Sequence, residues 1–289
     1  MNLVFVHGIA QEHRDPATIK AEWLDALNNG LRKSSLTLPI PDSAVALPYY
    51  GDKLFELTQF FGETERDVIA RGGEVTDPML QFEAEALEEI RQKAGISDAE
   101  IQSLLLGDPT RKGPQNWAWV QAIVRAIDRW DPGTSNIALS LILRCVYVYT
   151  NRPSVAAEID EIVAAAMTDK PTVVVAHSLG TVVAYKILRS DPRVLHMPRF
   201  ITLGSPLGIG AIRRQLTPLR RTPAAVWFNA FDPRDIVALN PLDQQHFAVT
   251  PAIENKNDVD NFTENRHSIA GYLSDPVVAR GIWFALGGE

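Results

Sequence analysis

The segment TVVVAHSLGTVVAY, residues 172–185, sets His177 and Ser178 between an unbroken apolar run and a helix-like pattern. A buried strand that turns at once into a helix strains the residue at the bend and needs small neighbours, so that strand and helix do not collide. Ala176 and Gly180 flank Ser178 at positions −2 and +2. Such a bend pushes the serine hydroxyl out at the carboxyl edge of a sheet, where open α/β sheets bind ligands. The helix N-terminus behind it offers unpaired N–H groups and positive potential. Nucleophilic attack is the chemistry this placement suits. The competing reading is a serine that only caps the helix.

A serine attacks when a base takes its proton, and the base needs an acid to orient it. The chain has six histidines. His7, in VFVHGI, closes the first apolar run, and Gly8 lets the backbone turn with N–H groups toward the same sheet edge; His7 itself reads as a structural hydrogen-bonder of this turn. His177, beside the serine, is assigned no catalytic part. His267, in ENRHSIAGYL, lies downstream of every strand-like run and ahead of the last helical pattern. Asp235, in FNAFDPRDIVAL, follows the last strong apolar run, with Asp232 in the same segment as the competing acid. The order Ser178, Asp235, His267 is that of a nucleophile elbow on an α/β sheet.

Together these segments resemble the α/β-hydrolase superfamily, nearest in motif style to lipase-like serine esterases. AHSLG resembles the alanine variant of the elbow in small bacterial lipases, HG after the first strand their oxyanion turn, and DIVA their acid loop. The likeness covers residues 1–50 and about 155–289. Two positions depart from the pattern: Ala176 stands where glycine is usual, a mild steric change, and the first turn lacks the further glycines of many esterases. The resemblance implies Ser178 as nucleophile, His267 as base and then acid, and Asp235 as the group that orients the imidazole. It also implies an oxyanion hole made by the backbone N–H groups of Ile9 and Leu179. The expected activity is hydrolysis of a carboxylic ester, of a small acyl or lipid-like substrate, through an acyl-enzyme, without metal or cofactor. A serine peptidase or amidase would use the same machinery, and a non-catalytic binding member would keep only the fold.

Positioning these side chains takes alternating strands and helices. Strand-like runs at 3–6, 44–47, 172–176, 200–203 and 225–231 are separated by helix-like segments that include 18–31 and 155–167. This predicts an α/β fold, a mostly parallel central sheet flanked by helices on both faces. Residues 1–51 and 151–289 supply that core. Over 52–150 strand-like runs nearly vanish: SDAE at 97–100 is a capping box, and Trp117, Val120, Ile123, Val124 and Ile127 recur at helical spacing. A helical insertion or cap is expected there, its aromatic stripe packed on the core or turned toward substrate. GSPLG at 204–208 is expected to shape the pocket, with Ser205 no second nucleophile. Tyr49, Tyr50 and Asp52 close the second strand, either lining the cleft or making core and cap contacts.

Composition narrows the partners. With 289 residues, 46% hydrophobic and 22% charged, the chain can bury a sizeable core. A net charge of −7 gives no basic footprint for nucleic acid or anionic lipid. Cys145 is the only cysteine, which excludes an internal disulfide, and no Cys/His cluster has zinc spacing. The longest apolar stretch, 137–149, is short for a bilayer and carries Arg144, while the opening MNLVFVHG lacks a basic leader and a cleavage site. A cytoplasmic protein without stable membrane insertion is expected.

Overall fold

A computed structural model describes residues 1–58, 78–105, 117–130, 136–193 and 195–288. Strands β1 (Asn2–Val6), β2 (Val45–Ala46), β3 (Thr172–His177), β4 (Arg199–Leu203), β5 (Val226–Ala230) and β6 (Glu254–Lys256) form a six-stranded sheet in the order β2-β1-β3-β4-β5-β6. Every neighbouring pair is parallel. The fold is therefore α/β with a helical insertion. From β1 the chain steps one way to β2; from β3 it steps the other way through β4, β5 and β6. The crevice at the carboxyl ends of β1 and β3 is the topological switch point.

Alternation along each strand builds two cores. Leu3, Phe5, Val173 and Val175 face a cluster with α1 (Pro16–Arg32), α9 (Ile269–Leu273) and α10 (Pro276–Ala285). Val4, Val6, Val174 and Ala176 face the other cluster. Its partners include α6 (Pro153–Ala165), α7 (Leu179–Leu188) and α8 (Gly210–Gln215). Burial on both faces explains why β1 and β3 read as near-continuous apolar runs.

Between β2 and α6 the described elements are all helices: 51–58, α2 (Pro78–Lys93), α3 (Asp98–Ser103), α4 (Trp117–Trp130) and α5 (Asn136–Asn151). The expected capping box forms, with Ser97 and Glu100 capping α3 reciprocally. Val120, Ile123 and Ile127 of the stripe are buried in the cluster that covers the sheet, as are Leu143, Val146 and Tyr149 of α5. The side chains of Trp117 and Ile137 lie outside the described ones. Glu89 of α2 ties the insertion to the carboxyl edge: one carboxylate oxygen accepts the Gly210 N–H at 2.8 Å, the other the Asn240 amide at 2.8 Å. Among the described residues no helix is long and apolar enough to cross a membrane.

Two elements differ from the sequence expectation. The second strand keeps only two residues, because Ala44 closes a short 3-10 turn. β6, with the sequence ENK, has no apolar residue to reveal it. A polar ladder joins it to the sheet: Thr202 donates to Asn229 at 2.9 Å, Asn229 to Asn255 at 3.0 Å, and Asn255 to the Leu242 and Ile253 carbonyls at 3.0 and 3.1 Å.

The closest approach of a described glycine to another segment's backbone atoms lies where α7 leaves β3 and crosses β1. A Cβ on Gly180 would stand 2.3 Å from the Val6 carbonyl oxygen and 2.4 Å from that of His7. Backbone atoms cannot step aside as a flexible side chain would. Gly180→Ala should therefore lower the unfolding free energy by about 3 kcal/mol, the upper part of the overpacking range. Urea unfolding that shows less than about 1 kcal/mol of loss would mean the helix shifts freely.

Candidate active site

Ser178 joins β3 to α7 with φ 55° and ψ −130°, a backbone region that a non-glycine residue occupies only when its surroundings impose it. Its carbonyl accepts the Thr181 N–H at 2.9 Å and the Thr181 hydroxyl at 2.7 Å, and its N–H donates to the Leu203 carbonyl at 3.2 Å. Because the Thr181 proton is engaged there, the Ser205 hydroxyl donates to Thr181 Oγ1 at 2.8 Å. Ser205, buried and committed to this bond, braces the elbow. Ser178 holds the N-cap position of α7, yet its hydroxyl makes no capping bond. It points instead to His267.

The hydroxyl donates to His267 Nε2 at 2.8 Å, and His267 Nδ1–H donates to Asp235 Oδ2 at 2.8 Å. Asp235 is fully buried and also accepts the Val237 N–H at 2.9 Å and the Tyr272 hydroxyl at 2.6 Å. Gly204, with φ 54°, makes room for them, since a Cβ there would lie 3.1 to 3.2 Å from Tyr272, Asp235 and His267. The structure thus brings Ser178, His267 and Asp235 into one line, three segments far apart in the chain.

Asp232 does something else. Its oxygens accept the N–H groups of Arg234 at 2.8 Å and Asn261 at 2.9 Å, and Arg234 and Arg266 pair with it at 3.2 and 3.8 Å. Asn261 in turn donates to the carbonyls of Arg266 at 2.7 Å and Ser268 at 2.8 Å, the two residues flanking His267. Asp232 therefore props the loop that carries the histidine.

The backbone donors lie at the same edge. Leu179 is the first residue of α7, where an N–H has no intrahelical acceptor. Neither the Leu179 nor the Ile9 N–H has a hydrogen-bond partner among the described residues. The turn that carries Ile9 abuts the serine: a Cβ on Gly8 would come within 2.8 Å of Ser178 Cβ. Beyond it, Ala10 and His13 adopt φ 58° and 61°. Tyr49 Oη donates toward the Gln11 carbonyl at 2.8 Å and Asp52 accepts the His13 N–H at 2.6 Å, so both clamp this loop. Tyr50 is core, stacked on the His7 ring at 4.0 Å with its hydroxyl bonded to the His7 carbonyl.

Two more histidines are held neutral. His7 Nδ1–H donates to the Gly8 carbonyl at 2.8 Å and Nε2 accepts the Tyr50 N–H at 3.2 Å. Burial pushes its pKa down to about 4. His177 Nε2–H donates to the His267 carbonyl at 2.8 Å, its ring 4.7 Å from the His267 ring. Burial first, and then the neighbouring His267, push its pKa well below the ordinary value. Sequence reasoning gave His177 no part and passed over Tyr272, Asn261 and Thr181. Only Thr181 lies near enough in the chain for a local signal, a hydroxyl one helical turn past the serine.

Because the folded chain disfavours protonated His7, the unfolded chain takes up that proton first as pH falls. With a pKa of about 4 against an ordinary 6.5, the contribution is complete above pH 6.5 and is lost as pH falls to 4. The loss from this ring is about 3 kcal/mol, and His177 adds in the same direction. Urea unfolding across that window should show it, and His7→Gln should flatten the slope; an unchanged slope would remove His7 as its source. No protein-family model matches the chain and no curated protein matches it significantly, so the site's chemistry is argued from its geometry.

Proposed function

We propose that this chain is a serine hydrolase of the α/β-hydrolase type that cleaves a carboxylic ester of a small acyl or lipid-like substrate. The observation that carries the reading is the line Ser178 Oγ, His267 and Asp235, both contacts 2.8 Å, set on a strained bend at the sheet's switch point.

Each atom then has a step to perform. His267 Nε2 takes the Ser178 proton as Oγ attacks the acyl carbonyl, and Asp235 steadies the imidazolium that forms. The oxyanion is met by the free N–H groups of Leu179 and Ile9, donors worth about 3 to 4 kcal/mol of barrier each. His267 passes the proton to the departing alkoxide, leaving an acyl-enzyme. Water attacks that ester with His267 again as base, which restores the serine.

A fluorophosphonate probe should label wild-type protein, and Ser178→Ala should abolish labelling and ester hydrolysis while the fold persists. Residual labelling at another serine would overturn the nucleophile assignment. Asp235→Asn should lower kcat by about 10⁴-fold, the scale of a triad acid turned to amide. Asp232→Asn should cost far less in kcat; the reverse ranking would make Asp232 the acid. A panel of chromogenic acyl esters beside peptide amides reads the substrate class, and amides cleaved as fast as esters would turn the assignment toward a peptidase.

A further inference from the structure

Asp235 receives two donors that the reaction above does not use, the Val237 N–H on Oδ1 and a side-chain hydroxyl on Oδ2. The Tyr272 hydroxyl, fully buried on α9, accepts the Asp232 N–H at 3.1 Å and donates to Asp235 Oδ2 at 2.6 Å. With its acceptor side occupied, the single phenolic proton is directed at the carboxylate. The oxygen it reaches is the one that His267 Nδ1–H also uses. Burial first, then the Asp235 charge, hold the phenol well above its ordinary range, so it stays a donor.

We propose that Tyr272 is a positioning residue that sets how strongly Asp235 holds the His267 proton, an inference resting on the hydrolase reading. A hydrogen bond to a carboxylate stabilises its charge and draws density from the oxygen that receives it. Less of that charge is then available to the imidazolium that forms when His267 takes the serine proton. The same bond fixes the carboxylate's rotation, so Oδ2 stays in line with the ring.

Among the described residues, the other charges near the pair are matched. From the loop after β5, Asp232 is paired with Arg234 and with Arg266, and Arg234 also meets Asp260 at 2.6 Å. His177 from β3 and His7 from the β1 turn are both pushed toward the neutral form by burial. Tyr272→Phe therefore changes the hydrogen bonding of Asp235 without changing a formal charge.

The test is the pH profile of kcat/KM on a chromogenic acyl ester, with fluorophosphonate labelling as a parallel readout. Tyr272→Phe, its fold verified by circular dichroism, should move the acid limb upward by about half to one unit. A fluorotyrosine placed at position 272 is a stronger donor of nearly the same shape, and should move the limb downward even where the phenylalanine variant does not fold. A limb that stays in place in labelled, active protein overturns the inference and leaves the hydrolase reading standing. Wild-type protein that neither takes the label nor cleaves ester overturns both.

Discussion

The left-handed backbone at Ser178 is the constraint on which the rest of this structure depends. β3 ends and α7 begins with one residue between them, so the chain must reverse within a single φ/ψ pair. A residue so placed stores on the order of 1 to 3 kcal/mol of strain. Sheet burial on both sides and the Thr181 and Ser205 hydroxyls hold it there. The same bend forces Gly8 and Gly180, because α7 then runs directly against the end of β1. It also leaves the first N–H of α7 without an acceptor. Strain, close approach and free donor share one geometric origin.

Two loops converge on that bend, and each is pinned to the other. Asp232 holds Asn261, Asn261 holds the carbonyls on either side of His267, and His177 holds the carbonyl of His267 itself. Side chains locked in this way do not need to reorganise when charge moves among them, which is where preorganised sites gain most. The two aspartates three positions apart divide the work, one facing the histidine and one facing its loop.

Much of this could be read from the chain. Apolar runs located five of the six strands because burial on both faces leaves few polar residues in them, Thr202 and Asn229 being exceptions that pair with each other. The elbow was legible because its demands are local: a small residue two before and two after the serine. Asp235 was preferred to Asp232 through its motif alone, since the two occupy one turn and what folds back onto each is set by tertiary packing. Tyr272 and Asn261 were invisible for the same reason, their partners being set by tertiary packing. Ile9 entered only through resemblance, because a backbone N–H leaves no side-chain signature.

The ladder from Thr202 through Asn229 to Asn255 has a metric consequence. β6 offers no apolar residue to choose a face, so burial cannot decide its alignment with β5; the amide of Asn255 does. A slip of one position would displace the strand by about 3.3 Å and turn its side chains over. Residues 257–266, which lead from β6 to the histidine, would then start from the wrong height, and a 2.8 Å approach of His267 to Ser178 could not close. Three polar residues on neighbouring strands thus serve as the ruler against which the distance between two remote side chains is measured out.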